Sequence, residues 1–348
     1  MSRHHFYSAV LLLLVLMMCC GTGGAAEAAG QSSKATFAWK YITEGDKVDS
    51  LGVPGLLKVG NDVFAFAEAQ CTKGGDSTIN GIASQLLTTE NEKITKEVLK
   101  DAKKTQYLEE GASKEKERKV DVSRPTAVVE GSNIYMLVGQ YSGTPANTCK
   151  NENDAAGSGL LLVKGNASNE EDDRKEIHWN DTYVIPCSLF KQQEESGTWL
   201  VGGGGSGVKM KDDTLVFPVE GTKKKGSEDE KRFSLIISCS KDTTSWTLSK
   251  GMSDGGCGDP SVVEWKDKLM MMTACDDGRR RVYESGDKGE SWTEALGTLS
   301  RVWGNNLRRH ERSIGSGFIT ATIDGVDDNR NVMLITLPVY VKEKDNEK

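Results

Sequence analysis

Eight consecutive residues, Ser285-Gly286-Asp287-Lys288-Gly289-Glu290-Ser291-Trp292, place two side-chain acceptors, a glycine and a tryptophan at S-x-D-x-G-x-x-W spacing. Ser285 and Asp287 can accept hydrogen bonds from nearby backbone N–H groups, Gly289 permits a left-handed turn, and Trp292 can plug the space beneath. This chemistry is structural: it caps a β-hairpin and carries no reaction. A looser copy, Ser240-Lys241-Asp242 followed by Trp246, lacks the glycine and has its tryptophan one position early. Asp242 and Asp287 lie 45 residues apart, a spacing that suits four-stranded propeller blades.

Other residue types invite chemistry and then exclude it. The run 202–207, Gly-Gly-Gly-Gly-Ser-Gly, resembles a phosphate cradle, but no Gly-Lys-Ser/Thr follows. It reads as a turn where backbones pack closely. No C-x-x-C is present, so no zinc site is expected, and no other metal or cofactor is implied. The N-terminus has a basic start at Arg3, His4 and His5, an apolar run over 10–18 and small residues over 21–29. It reads as a secretory signal peptide covering residues 1–28, and the apolar run is too short for comfortable membrane spanning. Secretion would leave six cysteines, Cys71, Cys149, Cys187, Cys239, Cys257 and Cys275, in an oxidising compartment, with every pairing open. It would also make Asn166 (Asn-Ala-Ser) and Asn180 (Asn-Asp-Thr) surface glycosylation sites. A net charge of −7 argues against nucleic acid as a partner.

The elements that position these residues are strands. Polar turns at Gly60-Asn61, Gly131-Ser132, Asp212-Asp213, Lys266-Asp267 and Asp324-Gly325 each lead into an apolar, β-rich run. With 38 glycines and 7 prolines, the chain suits many tight turns. No long helix is predicted outside the leader, so the fold class is all-β. Five hairpins at irregular spacing predict blades with insertions, and fully apolar runs mark strands buried between neighbouring blades. The charged stretches 96–119 and 222–232 read as solvated inter-strand loops.

With the capping motif, the hairpins and the leader in place, the chain resembles the trypanosomal trans-sialidase surface-glycoprotein superfamily. The resemblance rests on the segment 283–304, which contains the motif known there as the Asp box, on the hairpin 263–269, and on Ser50-Leu51-Gly52-Val53-Pro54. It covers roughly residues 37–337. It implies a sialidase-type six-bladed β-propeller over residues 37–341, incomplete at the C-terminus, with a charged tail at 342–348. In that superfamily a lectin-like sandwich and a lipid-anchor signal normally follow. This chain is expected to lack the anchor signal and to leave the ring open.

The resemblance also assigns roles. Active members hold a sialic acid carboxylate with three arginines, since a guanidinium fork matches a carboxylate. A tyrosine nucleophile, a glutamate that activates it and an acid/base aspartate complete the site. Gly52 stands in the first arginine's place and Ala274 in the second's, while the third arginine and the tyrosine are expected beyond Lys348. Gln70 replaces another substrate-contacting arginine, and Arg124 replaces a sugar-contacting aspartate. Asp259, in Cys257-Gly258-Asp259-Pro260, shortens the activating glutamate by one methylene, and Asp76 is the remnant of the acid/base aspartate. The expectation is a non-catalytic, secreted or cell-surface glycoprotein that engages host glycoproteins or extracellular matrix, with sialylated glycans less favoured. The alternative is a residual exo-α-sialidase or trans-sialidase acting on terminal sialic acids.

Overall fold

The polar turns at 60–61, 131–132, 212–213 and 266–267 each close an antiparallel hairpin, and the hairpins assemble into successive sheets. The computed structural model describes residues 37–337, apart from 44, 74–76, 88–96, 100–103, 112–117, 142–158, 170–174, 191–197, 224–230, 306–314, 324 and 326–329. The chain divides into Met1–Lys34, which lies outside the described residues, and Ala35–Lys348, which holds every strand below.

Blade 1 contains β1 (Phe37–Tyr41), β2 (Lys47–Val59), β3 (Asp62–Lys73), β4 (Ser77–Leu87), β5 (Thr105–Glu110) and β6 (Arg118–Val120). Its order is β1-β5-β4-β3-β2, with β6 against β5. Blade 2 takes β7 (Thr126–Glu130) and β8 (Asn133–Val138), then, beyond β9 (Gln140–Tyr141), β10 (Leu161–Asn169) and β11 (Lys175–Val184), in the order β11-β10-β8-β7. Blade 3 is β16-β15-β14-β12-β9, with β12 (Thr198–Gly202), β13 (Val208–Lys209, paired with β14), β14 (Leu215–Lys223), β15 (Lys231–Cys239) and β16 (Trp246–Leu248). Blade 4 runs β17 (Cys257–Trp265), β18 (Lys268–Cys275), β19 (Arg280–Ser285), β20 (Thr293–Glu294). A fifth sheet pairs β21 (Gly317–Ile323) with β22 (Arg330–Thr336). No α-helix occurs among the described residues, and none of their helical turns is long and apolar enough to cross a membrane.

The apolar strands are buried between blades. Phe64, Ile82, Met136 and Trp179 join blades 1 and 2. Leu137, Leu200, Phe217 and Leu235 join blades 2 and 3. Val216, Ile236, Val262 and Met271 join blades 3 and 4, and Met272, Val282 and Phe318 link blade 4 to the fifth sheet. At the ends of the series apolar side chains face outward: Leu51 and Leu56 on β2, and Ile319, Ile323 and Leu334 on β21 and β22.

The stretch 96–119 is not a loop throughout. Its segment β5 is a buried strand, with Thr105 and Leu108 fully enclosed and Gln106 and Tyr107 nearly so. The burial of Tyr107 and Leu108 outweighs the charged context that hides this strand in the sequence. Cys257 and Cys275, directly opposite on β17 and β18, form a disulfide, whereas Cys71 and Cys239 are buried free thiols. Asn166 and Asn180 lie in β10 and β11, where the Asn180 Nδ2 donates to Asn166 Oδ1 at 3.2 Å.

The Asp box forms as its spacing requires. Ser285 Oγ donates to Asp287 Oδ1 (2.8 Å) and accepts from Gly289 N (2.8 Å). Asp287 also accepts from Ser291 N (2.9 Å) and Ser291 Oγ (2.6 Å). Gly289 takes φ +92°, and Trp292 packs between blades 3 and 4. The looser copy does the same one interface earlier. Ser240 Oγ donates to Asp242 and accepts from Ser245 N, Thr243 supplies the positive φ, and Trp246 packs between blades 2 and 3.

These donors hold the Asp287 carboxyl down to about 2, from an ordinary value of 3.8. A depressed carboxyl stabilises the fold above its unfolded pKa, and this contribution is lost as pH falls through the folded value. Asp287→Ala is therefore expected to lower the thermal midpoint at neutral pH. The gap from wild type should narrow below pH 3.8 and close near pH 2, as melts across that range would show.

Candidate functional site on the propeller axis

One local pattern heads the innermost strands. Gly52-Val53-Pro54 in β2, Ser123-Arg124-Pro125 before β7, Gly203-Gly204-Gly205 after β12 and Gly258-Asp259-Pro260 in β17 each place a left-handed residue in the middle. The φ values are +47° for Val53, +49° for Arg124, +67° for Gly204 and +49° for Asp259. Proline disfavours the right-handed helical region for the residue before it, and a non-glycine residue at positive φ is strained. In β2 and β17 the pattern coincides with a break in strand register, after Gly52 and after Gly258. The chain kinks there and turns its middle residue toward the axis.

The glycine run lets these heads meet. A Cβ on Gly204 would stand 2.6 Å from Val53 Cγ1, one on Gly205 2.7 Å from the Pro260 carbonyl, and one on Gly202 2.4 Å from the Arg124 carbonyl. Ser261 Oγ donates to the Ser316 carbonyl (2.8 Å), and the buried Arg280 donates to Ser316 Oγ (2.9 Å). The run is thus a close-packing device, as its sequence context indicates.

Arg124 and Asp259, in equivalent positions of blades 2 and 4, are brought together. The Arg124 guanidinium donates through Nε to the Gly202 carbonyl (2.6 Å), and through Nη2 to the Gly203 carbonyl (2.9 Å) and Asp259 Oδ1 (3.3 Å). The Arg124 backbone N–H donates to Glu68 Oε2 (2.8 Å), and Glu220 Oε2 lies 3.8 Å from Nη2. Glu220 in turn accepts from the Asp259 N–H at 2.8 Å. Arg232 approaches Asp259 Oδ2 at 3.9 Å and donates to Asp276 Oδ1 at 3.2 Å. The Asp259 side chain is 7% exposed, and its Oδ2 accepts no hydrogen bond within the described chain. Burial, followed by the Glu220 charge, pushes the Asp259 carboxyl up, while Arg124 and Arg232 oppose the shift. Three carboxylates (Glu220, Asp259, Asp276) therefore share two guanidiniums (Arg124, Arg232), and a fourth, Glu68, accepts from the Arg124 backbone N–H.

The remaining positions are dispersed. Gly52 lies opposite Glu68 on β3, with no atom within 4 Å of where its Cβ would be. Gln70 is exposed, and its Oε1 accepts from Ser50 Oγ (3.0 Å). Ala274 is fully buried in β18, opposite Gly258 and Arg280. Asp76 lies outside the described residues. Sequence reasoning missed Glu68, Glu220, Arg232 and Arg280. For the two glutamates a signal existed: each is a lone charge in an otherwise apolar stretch, Phe-Ala-Glu-Ala and Pro-Val-Glu-Gly, and a charge so placed needs a partner. Among the described residues no cluster of three or more His, Cys, Asp or Glu side chains is arranged to hold a metal ion.

The BNR repeat-like domain family matches residues 53–348, and the chain belongs to this family of sialidase-like proteins. It is 33% identical over 222 residues to a Trypanosoma cruzi sialidase, covering 63% of this chain and 18% of that relative. Its fold matches Trypanosoma rangeli sialidase in complex with the inhibitor DANA at a TM-score of 0.61 and 28% identity, covering 85% of this chain and 45% of that one. It matches the sialic acid complex of the same organism's sialidase at 0.59 and 26% identity, covering 88% and 47%. The chain thus spans less than half the length of these relatives.

Gly258 is the position where an added methyl would strike a carboxylate of the site itself. A Cβ there would stand 2.4 Å from Glu220 Oε2, displacing the carboxylate that accepts from Asp259. Gly258→Ala is expected to cost about 1–3 kcal/mol by overpacking and loss of that bond. Gly52→Ala, which meets open space, should stay within about 0.5 kcal/mol of wild type. Urea unfolding of both variants checks the contrast.

Proposed function

We propose that this chain is a non-catalytic sialidase-like glycoprotein of the secretory pathway, secreted or held at the cell surface, that engages host glycoproteins or extracellular matrix. The observation that carries this reading is the Arg124–Asp259 contact: both groups are committed to each other and to neighbouring blades. A carboxylate that activates a nucleophile must have a free lone pair directed at it. The Asp259 Oδ1 is instead taken by Arg124, and its Oδ2, which accepts no hydrogen bond, is buried with the Arg232 guanidinium 3.9 Å away. A sialic acid carboxylate needs converging arginines, yet Gly52 and Ala274 bring no charge and Arg124 is occupied. The surplus of carboxylates around the axis would repel an anion. Residues 1–28 serve as the leader in this reading, residues 37–341 as the propeller and Asn166 and Asn180 as glycan acceptors.

The competing reading is a residual sialidase or trans-sialidase, with Asp76 and Asp259 as its surviving groups. It draws support from the relatives' names and from the solved complex with sialic acid. Fold alone does not choose between the two, since activity resides in the constellation of side chains. A fluorogenic sialoside assay at high protein concentration separates them. The expected outcome is no release of fluorophore above buffer, together with saturable binding of the protein to matrix glycoproteins. Turnover that scales with protein and disappears in Asp259→Asn would overturn the proposal.

A further inference from the structure

The two glycosylation motifs, far apart in the unfolded chain, meet in the fold. Glu130, Asn133, Asn166 and His178 pair directly across β7, β8, β10 and β11, so they form one row on one face of blade 2. Leu162 and Tyr135, on that same face, pack in the cluster shared with blade 3, so the row is turned toward blade 3. At the inner end of the row Lys241, from the capping turn of blade 3, lies 2.7 Å from Glu130 Oε1. Asn166 is half-buried two strands from that contact, with Asn133 on one side and His178 on the other.

Asn180 is placed differently. Lys164 lies opposite Asp181 and Gly165 opposite Trp179, so Asn180 is the extra residue of a β-bulge in the edge strand β11. A bulge re-aims the side chain it releases, and Asn180 is exposed. Its Nδ2 crosses to Asn166 Oδ1 at 3.2 Å, which holds the two Nδ2 atoms within about 6 Å of each other.

We propose that the folded protein carries a single N-linked glycan here, on Asn180, and that Asn166 stays unmodified. In the attachment step the asparagine Nδ2 attacks C1 of an oligosaccharide carried on a lipid pyrophosphate. The N–C1 bond forms, the C1–O bond breaks, the lipid pyrophosphate leaves and Nδ2 gives up one proton. A glycosylated Asn180 keeps its second amide N–H, enough to go on donating to Asn166 Oδ1. A sugar on Asn166 would instead have to rise between Asn133 and His178 on the face turned to blade 3. An N-glycan is bulky and needs open surface, and sugars rooted at both nitrogens would compete for one space. Transfer precedes folding, so selection acts as the sheet closes: chains modified at Asn180 complete blade 2, and chains modified at Asn166 do not. The inference rests on the secretory reading of the chain and narrows its two acceptors to one.

Peptide mapping of the full chain, expressed with its leader in a eukaryotic host and purified from the medium, tests the assignment. Trypsin separates the two acceptors at Arg174 and Lys175, and enzymatic glycan release in heavy-oxygen water converts each occupied asparagine to labelled aspartate. Label is expected at Asn180 alone, with the intact mass falling by one glycan on release. Asn180→Gln, which keeps the amide, should be secreted without that glycan and with Asn166 still unlabelled, whereas Asn166→Gln should keep it. Label at Asn166 in secreted wild type or Asn180→Gln, alone or beside label at Asn180, overturns the proposal. A secreted chain with its leader removed and Asn180 unlabelled overturns it as well and leaves the secretory reading standing. A chain found only inside the cells with its leader uncut overturns that reading, and the glycan with it.

Discussion

The Arg124 guanidinium crosses the propeller axis and ties blades together where apolar packing cannot reach. Its donors go to two carbonyls of blade 3 and to Asp259 of blade 4, and the Arg124 backbone N–H goes to Glu68 of blade 1. The central ends of the innermost strands expose backbone carbonyls and kinked X-Pro segments, so polar groups must be matched there by other polar groups. A buried carboxylate such as Asp259 is costly without a cation in contact, and breaking such a pair typically costs about 3–5 kcal/mol. Much of the local sequence is intelligible as what this crossing requires. Glycines at 202–205 bring the carbonyls close, Gly258 admits Glu220, and left-handed residues before proline aim Arg124 and Asp259 inward.

Away from the axis the logic is apolar and repetitive. Each pair of neighbouring blades encloses its own cluster of aliphatic and aromatic side chains. At the opposite, hairpin-turn end, a serine–aspartate hydrogen bond sets each capping turn, and a tryptophan closes the seam beside it, at Trp246 and again at Trp292. Exposed ion pairs, Lys241 to Glu130, Lys211 to Asp267 and Lys288 to Asp212, decorate that end. Exposed pairs of this kind add little stability individually, so the seams depend on their tryptophans and cores.

What was legible in the sequence follows from the range of the interactions involved. Turn chemistry is local, so the five hairpins, the Asp box and the close-packing glycines could be read directly, and Ser240-Asp242-Trp246 closed a turn despite its irregular spacing. Strand β5 was hidden because Thr105, Gln106 and Glu109 are buried polar residues, and the sheet that encloses them is formed by distant segments. The axial network was illegible for the same reason. Arg124 meets Glu68 from 56 residues away and Asp259 from 135 residues away. Resemblance drew attention to Arg124 and Asp259 as isolated substitutions, but their contact with each other is a property of the folded ring.

The central claim is that Arg124 and Asp259 act as one structural unit, so that neither is available to a ligand. A double-mutant cycle by denaturant unfolding, using Arg124→Gln, Asp259→Asn and the pair, addresses it most directly. The account predicts a coupling of about 1–3 kcal/mol, with the double variant recovering part of the loss seen for Arg124→Gln alone. Additivity within about 0.5 kcal/mol would contradict it, and would mean that the two groups stand independently at the axis.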